Sequence, residues 1–80
     1  MDLITYRDTK GRGAIAALAR AAQLPPQYLH HLIRGIRGMS WDQAERIARA
    51  SGGVLVIEDM LRVNAAARKS YRAQKQSEAA

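Results

Sequence analysis

Apolar residues recur at three- and four-residue intervals along almost the whole chain, and the strict alternation of a half-buried strand is nearly absent. Residues 2–8 are expected to form a short helix with Asp2 as its N-cap. Lys10-Gly11-Arg12-Gly13 should interrupt it, because two glycines in three positions disfavour a continuing helix. Ile15, Leu18, Ala19 and Ala22 then fall at i, i+3, i+4 and i+7, one face of an alanine-rich second helix. Gln23-Leu24-Pro25-Pro26 ends it, since proline cannot continue a helix interior yet suits the first turn of the next helix. A third helix is predicted from about Pro26 to Arg34, stopped by Gly35. Spacing its residues about 100° apart turns Leu29, Leu32 and Ile33 to one side and Gln27, His31 and Arg34 to the other. Tyr28 and His30 take the two flanks.

After a loop at Gly35-Ile36-Arg37-Gly38, Met39 is expected to return to the core. Ser40-Trp41-Asp42-Gln43 has the form of a capping box, a serine N-cap with glutamine three residues on. It opens a fourth helix with Ala44, Ile47, Ala48 and Ser51 inward and Gly52-Gly53 at its end. Val54-Leu55-Val56-Ile57 is short and β-prone, either an extended segment over the core or an edge strand. From Glu58 the pattern is helical again, acids first as the helix dipole favours, with Met60, Leu61, Asn64 and Ala65 as packing candidates. Beyond about Arg68 only Tyr71 offers apolar surface, so composition predicts a frayed or disordered basic tail. The expected architecture is all-α, with four or five helices. Residues 1–62 would form the domain and residues 63–80 a basic C-terminal helix or disordered tail.

Length and composition narrow this further. Eighty residues allow one small domain, and without cysteine neither disulfides nor a thiolate metal site can supplement its core. No apolar run approaches the roughly 18–20 residues of a membrane span, and Met1-Asp2-Leu3-Ile4 lacks the start of a secretory signal. A cytoplasmic protein is the expectation. Thirteen Lys/Arg against seven Asp/Glu give a net charge of +6, which attracts polyanions. The charge is also segregated. From Thr9 to Trp41 there is no acid, while Lys10, Arg12, Arg20, Arg34 and Arg37 are all present. A solvated basic surface and a nucleic-acid face both fit that window.

The ordered series of motifs discriminates between them. Ala17-Leu18-Ala19-Arg20-Ala21-Ala22 followed by Pro26-Gln27-Tyr28-Leu29-His30-His31-Leu32-Ile33-Arg34-Gly35 resembles the helix-turn-helix of Cro-like phage repressors and YdaS-type regulators. Met39-Ser40-Trp41-Asp42-Gln43-Ala44-Glu45-Arg46-Ile47-Ala48-Arg49-Ala50-Ser51-Gly52-Gly53 resembles the fourth helix of that family and its glycine ending. The likeness covers about residues 2–62 and implies a lambda-repressor-like fold. Two positions depart from it. Gln23 stands where the family often has glycine, which predicts backbone strain in the turn, and Pro25 stands where serine or threonine commonly caps the recognition helix.

The resemblance places the third helix in the major groove, and the chemistry of its outer face agrees. Glutamine can bind adenine, and arginine guanine, through two hydrogen bonds. Gln27, His31 and Arg34 are therefore the candidates for base edges. Arg12, Arg20, Tyr28, His30, Arg37, Ser40 and Trp41 are the candidates for phosphate, the last two because a helix N-terminus offers free N–H groups to an anion. Simpler roles remain open: Gln27 and Arg34 as solvated side chains, Tyr28 as packing, Trp41 as a cover on the core edge. His30 and His31 point about 100° apart on a helix and have no second ligand cluster, so no metal is expected. No nucleophile, carboxylate pair or phosphate-binding glycine motif suggests catalysis or a cofactor.

The sequence thus predicts a non-enzymatic regulator of duplex DNA, repressing by steric occlusion of a promoter. It would act as a homodimer joined through residues 54–61, on half-sites about 34 Å apart. Its alternative is an antitoxin-like protein that also binds a toxin through the C-terminal segment. A membrane-surface role for the tail is disfavoured by its thin apolar face.

Overall fold

The computed structural model describes residues 1–79, and those residues form five helices and no strand. They are α1 (Leu3–Lys10), α2 (Arg12–Ala21), α3 (Pro26–Arg34), α4 (Trp41–Ala50) and α5 (Ile57–Ala79). Asp2 caps α1, its carboxylate accepting from the Thr5 amide at 2.9 Å and the Thr5 hydroxyl at 3.0 Å. Partial burial alone would raise the pKa of this carboxyl. The hydrogen bonds outweigh it and hold the group below its ordinary value. The break between α1 and α2 is Gly11 alone, at φ +90°, while Gly13 is absorbed into the first turn of α2. Ser40 opens α4 with both halves of the expected capping box: its hydroxyl oxygen accepts from the Gln43 amide at 3.2 Å, and its amide donates to Gln43 Oε1 at 3.0 Å.

Helices α2, α3 and α4 end in the same way. In each, one amide bonds the carbonyl three residues back and the next amide reaches five back. The pairs are Gln23→Arg20 and Leu24→Ala19, Gly35→Leu32 and Ile36→His31, Gly52→Arg49 and Gly53→Ala48. This double bond satisfies orphan carbonyls and needs a left-handed residue at its first position. Gly35 and Gly52 occupy it at φ +80° and +70°, but in α2 it falls to Gln23 at φ +59°. A side chain there costs roughly 1–2 kcal/mol. Gln23→Gly should therefore stabilise the domain, by about 0.5 kcal/mol once the extra freedom of glycine in the unfolded chain is subtracted. Thermal unfolding would show a rise of about 2–4 °C; a fall would mean that the Gln23 side chain holds something in the fold.

Packing follows the apolar spacing. Helix α2 touches α1, α3 and α4, and α5 closes the domain against α3 and α4. Ile15, Leu18, Ala19 and Ala22 of α2 are buried against Leu29, Leu32 and Ile33 of α3 and Ala44 and Ile47 of α4. Each large side chain so buried contributes about 1.5–3 kcal/mol. Ala19 and Ala44 are fully covered, leaving no room for anything larger without displacing a helix. Met39 is half-buried against this core.

One open alternative is decided by the structure, and two sequence expectations need correction. Val54–Ile57 is the segment over the core and not the edge strand: the Val56 amide donates to the Met1 carbonyl at 3.0 Å, and the Val56 carbonyl accepts from the Met60 amide at 3.0 Å. Leu55 enters the core, held by a bond from its amide to Ser51 Oγ, and Ile57 already begins α5. Beyond Arg68 the chain continues as helix to Ala79 instead of fraying. Ala65 faces outward, whereas its neighbour Asn64 is buried. Twenty-three residues make α5 about 34 Å long. Its last turns, exposed from Arg72 to Ser77, project from the other helices and stretch the molecule to 43 × 23 × 21 Å.

Candidate nucleic-acid interface

Helix α3 presents its polar side between two shallow hollows. One is lined by Pro25, Gln27, Tyr28, His31 and Arg37, the other by Arg7, Arg12, His30, Ile33 and Arg34. The 100° step between adjacent helical residues is what sends His30 to one hollow and His31 to the other. Gln27 is exposed and His31 half-buried beside it. Tyr28, also half-buried, packs on the core and carries the Arg37 guanidinium over its ring at 5.7 Å. The packing reading of Tyr28 is the one seen here, and half-burial leaves part of the side chain to solvent, as a tyrosine with a buried ring and a wet edge allows.

The loop that carries Arg37 is fixed from behind by α5. Asn64 Nδ2 donates to the Leu32 carbonyl at 2.8 Å and the Arg37 carbonyl at 3.0 Å, and Asn64 Oδ1 accepts from the Met39 amide at 2.8 Å. Arg68 adds a bond from its guanidinium to the Ile36 carbonyl at 3.3 Å. Gly35 sits directly beneath the Ala67–Arg68 backbone. Sequence reasoning named Asn64 only as a packing candidate and missed this role.

The remaining candidates lie elsewhere. Arg20 is exposed on α2 and lines neither hollow, and the same holds for Ser40 and Trp41. The Ser40 amide and hydroxyl are both engaged in the capping box, and Asp42 occupies the first turn of α4. That carboxylate opposes an anion at this helix end. Trp41 is 54% exposed, so it does not cover the core. A third hollow, between the end of α2 and α4, has Asp42 and Glu45 at its rim together with Arg46 and Arg49, and the Glu45–Arg49 pair closes at 2.7 Å. Its mixed charge suits a polyanion poorly.

The start of α2 carries a charge that its dipole does not favour, whereas Arg20 in the last turn of α2 and His31 and Arg34 in the last turn of α3 stand where a cation is favoured. Helices α4 and α5 carry acids in the first turn, as the dipole favours; α2 and α3 carry none, and α2 begins with Arg12. Among the described residues, neither Arg12 nor Arg34 has a carboxylate partner. A cation at the positive end of a helix, left unpaired, fits a surface arranged around an outside anion. Fold and surface together define a five-helix domain with one basic face, at whose edge Asp8 pairs with Arg7. No protein-family model, curated protein or solved structure matches the chain.

Proposed function

We propose that this protein is a sequence-specific regulator of duplex DNA, with α2, its turn and α3 acting as a helix-turn-helix of the Cro-like type. The observation that carries the reading is the polar side of α3, set between two hollows whose charged lining residues are arginines and histidines. Gln27 and His31 carry hydrogen-bonding groups suited to base edges, while the arginines to either side would meet the backbone. Occupying a promoter would exclude polymerase, and the protein itself performs no chemistry. Selection of bound duplexes from a random pool tests the reading. A palindromic consensus supports a dimeric operator binder; recovery of nothing above random defeats sequence-specific binding.

Gln27→Ala is expected to cost ~1–3 kcal/mol on the selected site and to relax preference at one base pair. Equal losses on selected and random duplexes would move Gln27 to the backbone. Lys69→Ala and Arg72→Ala, exposed in the second half of α5, should weaken all sequences alike and lower the slope of log affinity against log salt by about 0.9 each. An unchanged slope would show that this helix end never meets DNA.

The dimer surface first expected at residues 54–61 narrows in this reading. Leu55 and Met60 are buried in the core of their own chain, which leaves Val54 and Val56, 41% and 43% exposed, as the apolar contact. The projecting end of α5 favours one second reading, a regulator that also holds a protein partner there in the manner of an antitoxin.

A further inference from the structure

We infer that the hollow between α1, α2 and α3 is a clamp for a single phosphate group, and that Arg34 is one of its ligands instead of a reader of base edges. The inference rests on the duplex-binding reading for the source of that phosphate, but the clamp itself follows from the geometry. Arg7 from α1, Arg12 from α2, and His30 and Arg34 from α3 line one shallow hollow, with Ile33 as its apolar wall. Three arginines lining one hollow repel each other, and among the described residues one carboxylate is paired with them: Asp8, itself exposed, 3.4 Å from Arg7 Nε. Arg12 is the first residue of α2, where the helix dipole already opposes a cation. Such an arrangement lowers its own energy by taking up an anion. Planar guanidinium groups pair with phosphate oxygens through two parallel N–H bonds, and a histidine N–H can add a further donor.

The clamp also explains how the outer stripe of α3 divides. Gln27 and His31 line the opposite hollow, while Arg34 and His30 turn toward α1 and α2. A phosphate held by Arg7, Arg12 and Arg34 would fix the depth and tilt of α3 on the duplex and leave base edges to Gln27 and His31. Arg7 joins the interface only through the way α1 folds back across Gly11, which no local pattern in the sequence announces.

Titration of the full chain with inorganic phosphate, followed by the arginine Nε–Hε resonances, tests the clamp directly. Saturable shifts are expected at Arg7, Arg12 and Arg34, with Arg20 and Arg49 as unmoved references, and Arg12→Gln should abolish them. Uniform small shifts at every arginine would overturn the proposal. Duplex binding separates the sources of phosphate. If Arg12→Gln and Arg34→Gln each lower the salt slope by about 0.9 and weaken selected and random duplexes equally, the clamp holds a backbone phosphate. A loss confined to one base position on Arg34→Gln would return Arg34 to base reading and overturn its assignment. Saturable phosphate shifts in a protein that binds no duplex would uphold the clamp for a free phosphate-bearing ligand while the duplex reading fails.

Discussion

Gly35→Ala is expected to destabilise the domain by about 3 kcal/mol or more, the sum of a left-handed backbone penalty of roughly 1–2 kcal/mol and an overpacking cost of about 1–3 kcal/mol. Gly35 sits at φ +80° at the end of α3, where its amide and that of Ile36 close the helix. A Cβ there would fall inside contact distance of the Ala67 carbonyl and the Arg68 amide. Those are backbone atoms in the middle of α5, so no rotamer change relieves the overlap; the two helices must separate. A chain of this length has a total stability of about 4–12 kcal/mol, and one methyl group would remove a large share of it. Gly52→Ala provides the control. Its φ is +70°, but nothing lies within 4 Å of the added carbon, so only the backbone penalty should appear. Urea unfolding of the two variants separates the contributions, and equal losses would mean that α5 does not rest on Gly35.

That contact bears on how much of the molecule its sequence discloses. The bounds of α3 were legible because three independent signals coincide: a proline suited to the first turn, apolar residues at helical spacing, and a glycine at the stop. Ser40 and Gln43 marked α4 equally well, since the capping box is local. The strain at Gln23 was legible for the same reason, as the turn demands a positive φ whatever surrounds it. Long-range features left no comparable trace. The partners of Asn64 lie 25 to 32 residues away, and a lone polar residue in a helix looks solvated until the far segment arrives. Composition also misled beyond Arg68: few apolar residues suggest a tail, yet alanine, arginine, lysine and glutamine are all good helix formers, and the helix begins on packed turns that remove the cost of nucleation. At the candidate site, periodicity gave the angle of each α3 side chain. It did not give what stands across from it, so the split between the Gln27–His31 and His30–Arg34 sides emerged only with α1 in place.

Asn64 supplies the second large effect, because its one amide group makes three hydrogen bonds at once. It gives two protons to the carbonyls of Leu32 and Arg37 and takes one from the amide of Met39, at a site 6% exposed. Asn64→Leu keeps the volume and removes all three bonds. With three backbone groups left short of partners at about 1–3 kcal/mol each, and some regained by water at the loop edge, a loss of about 3–4 kcal/mol is expected. Asn64→Asp is the sharper test. The carboxylate still accepts from Met39 but turns its second oxygen toward two carbonyls, so burial and repulsion both raise its pKa above the unfolded value. The variant should then be least stable at neutral pH and recover as pH falls, since protonation restores one donor. Wild-type Asn64 does not titrate and should show no such recovery. If Asn64→Asp were equally destabilised at pH 7 and pH 4, the side chain would not face those carbonyls. The Gly35–Ser40 loop, with Arg37 over Tyr28, would then need another anchor.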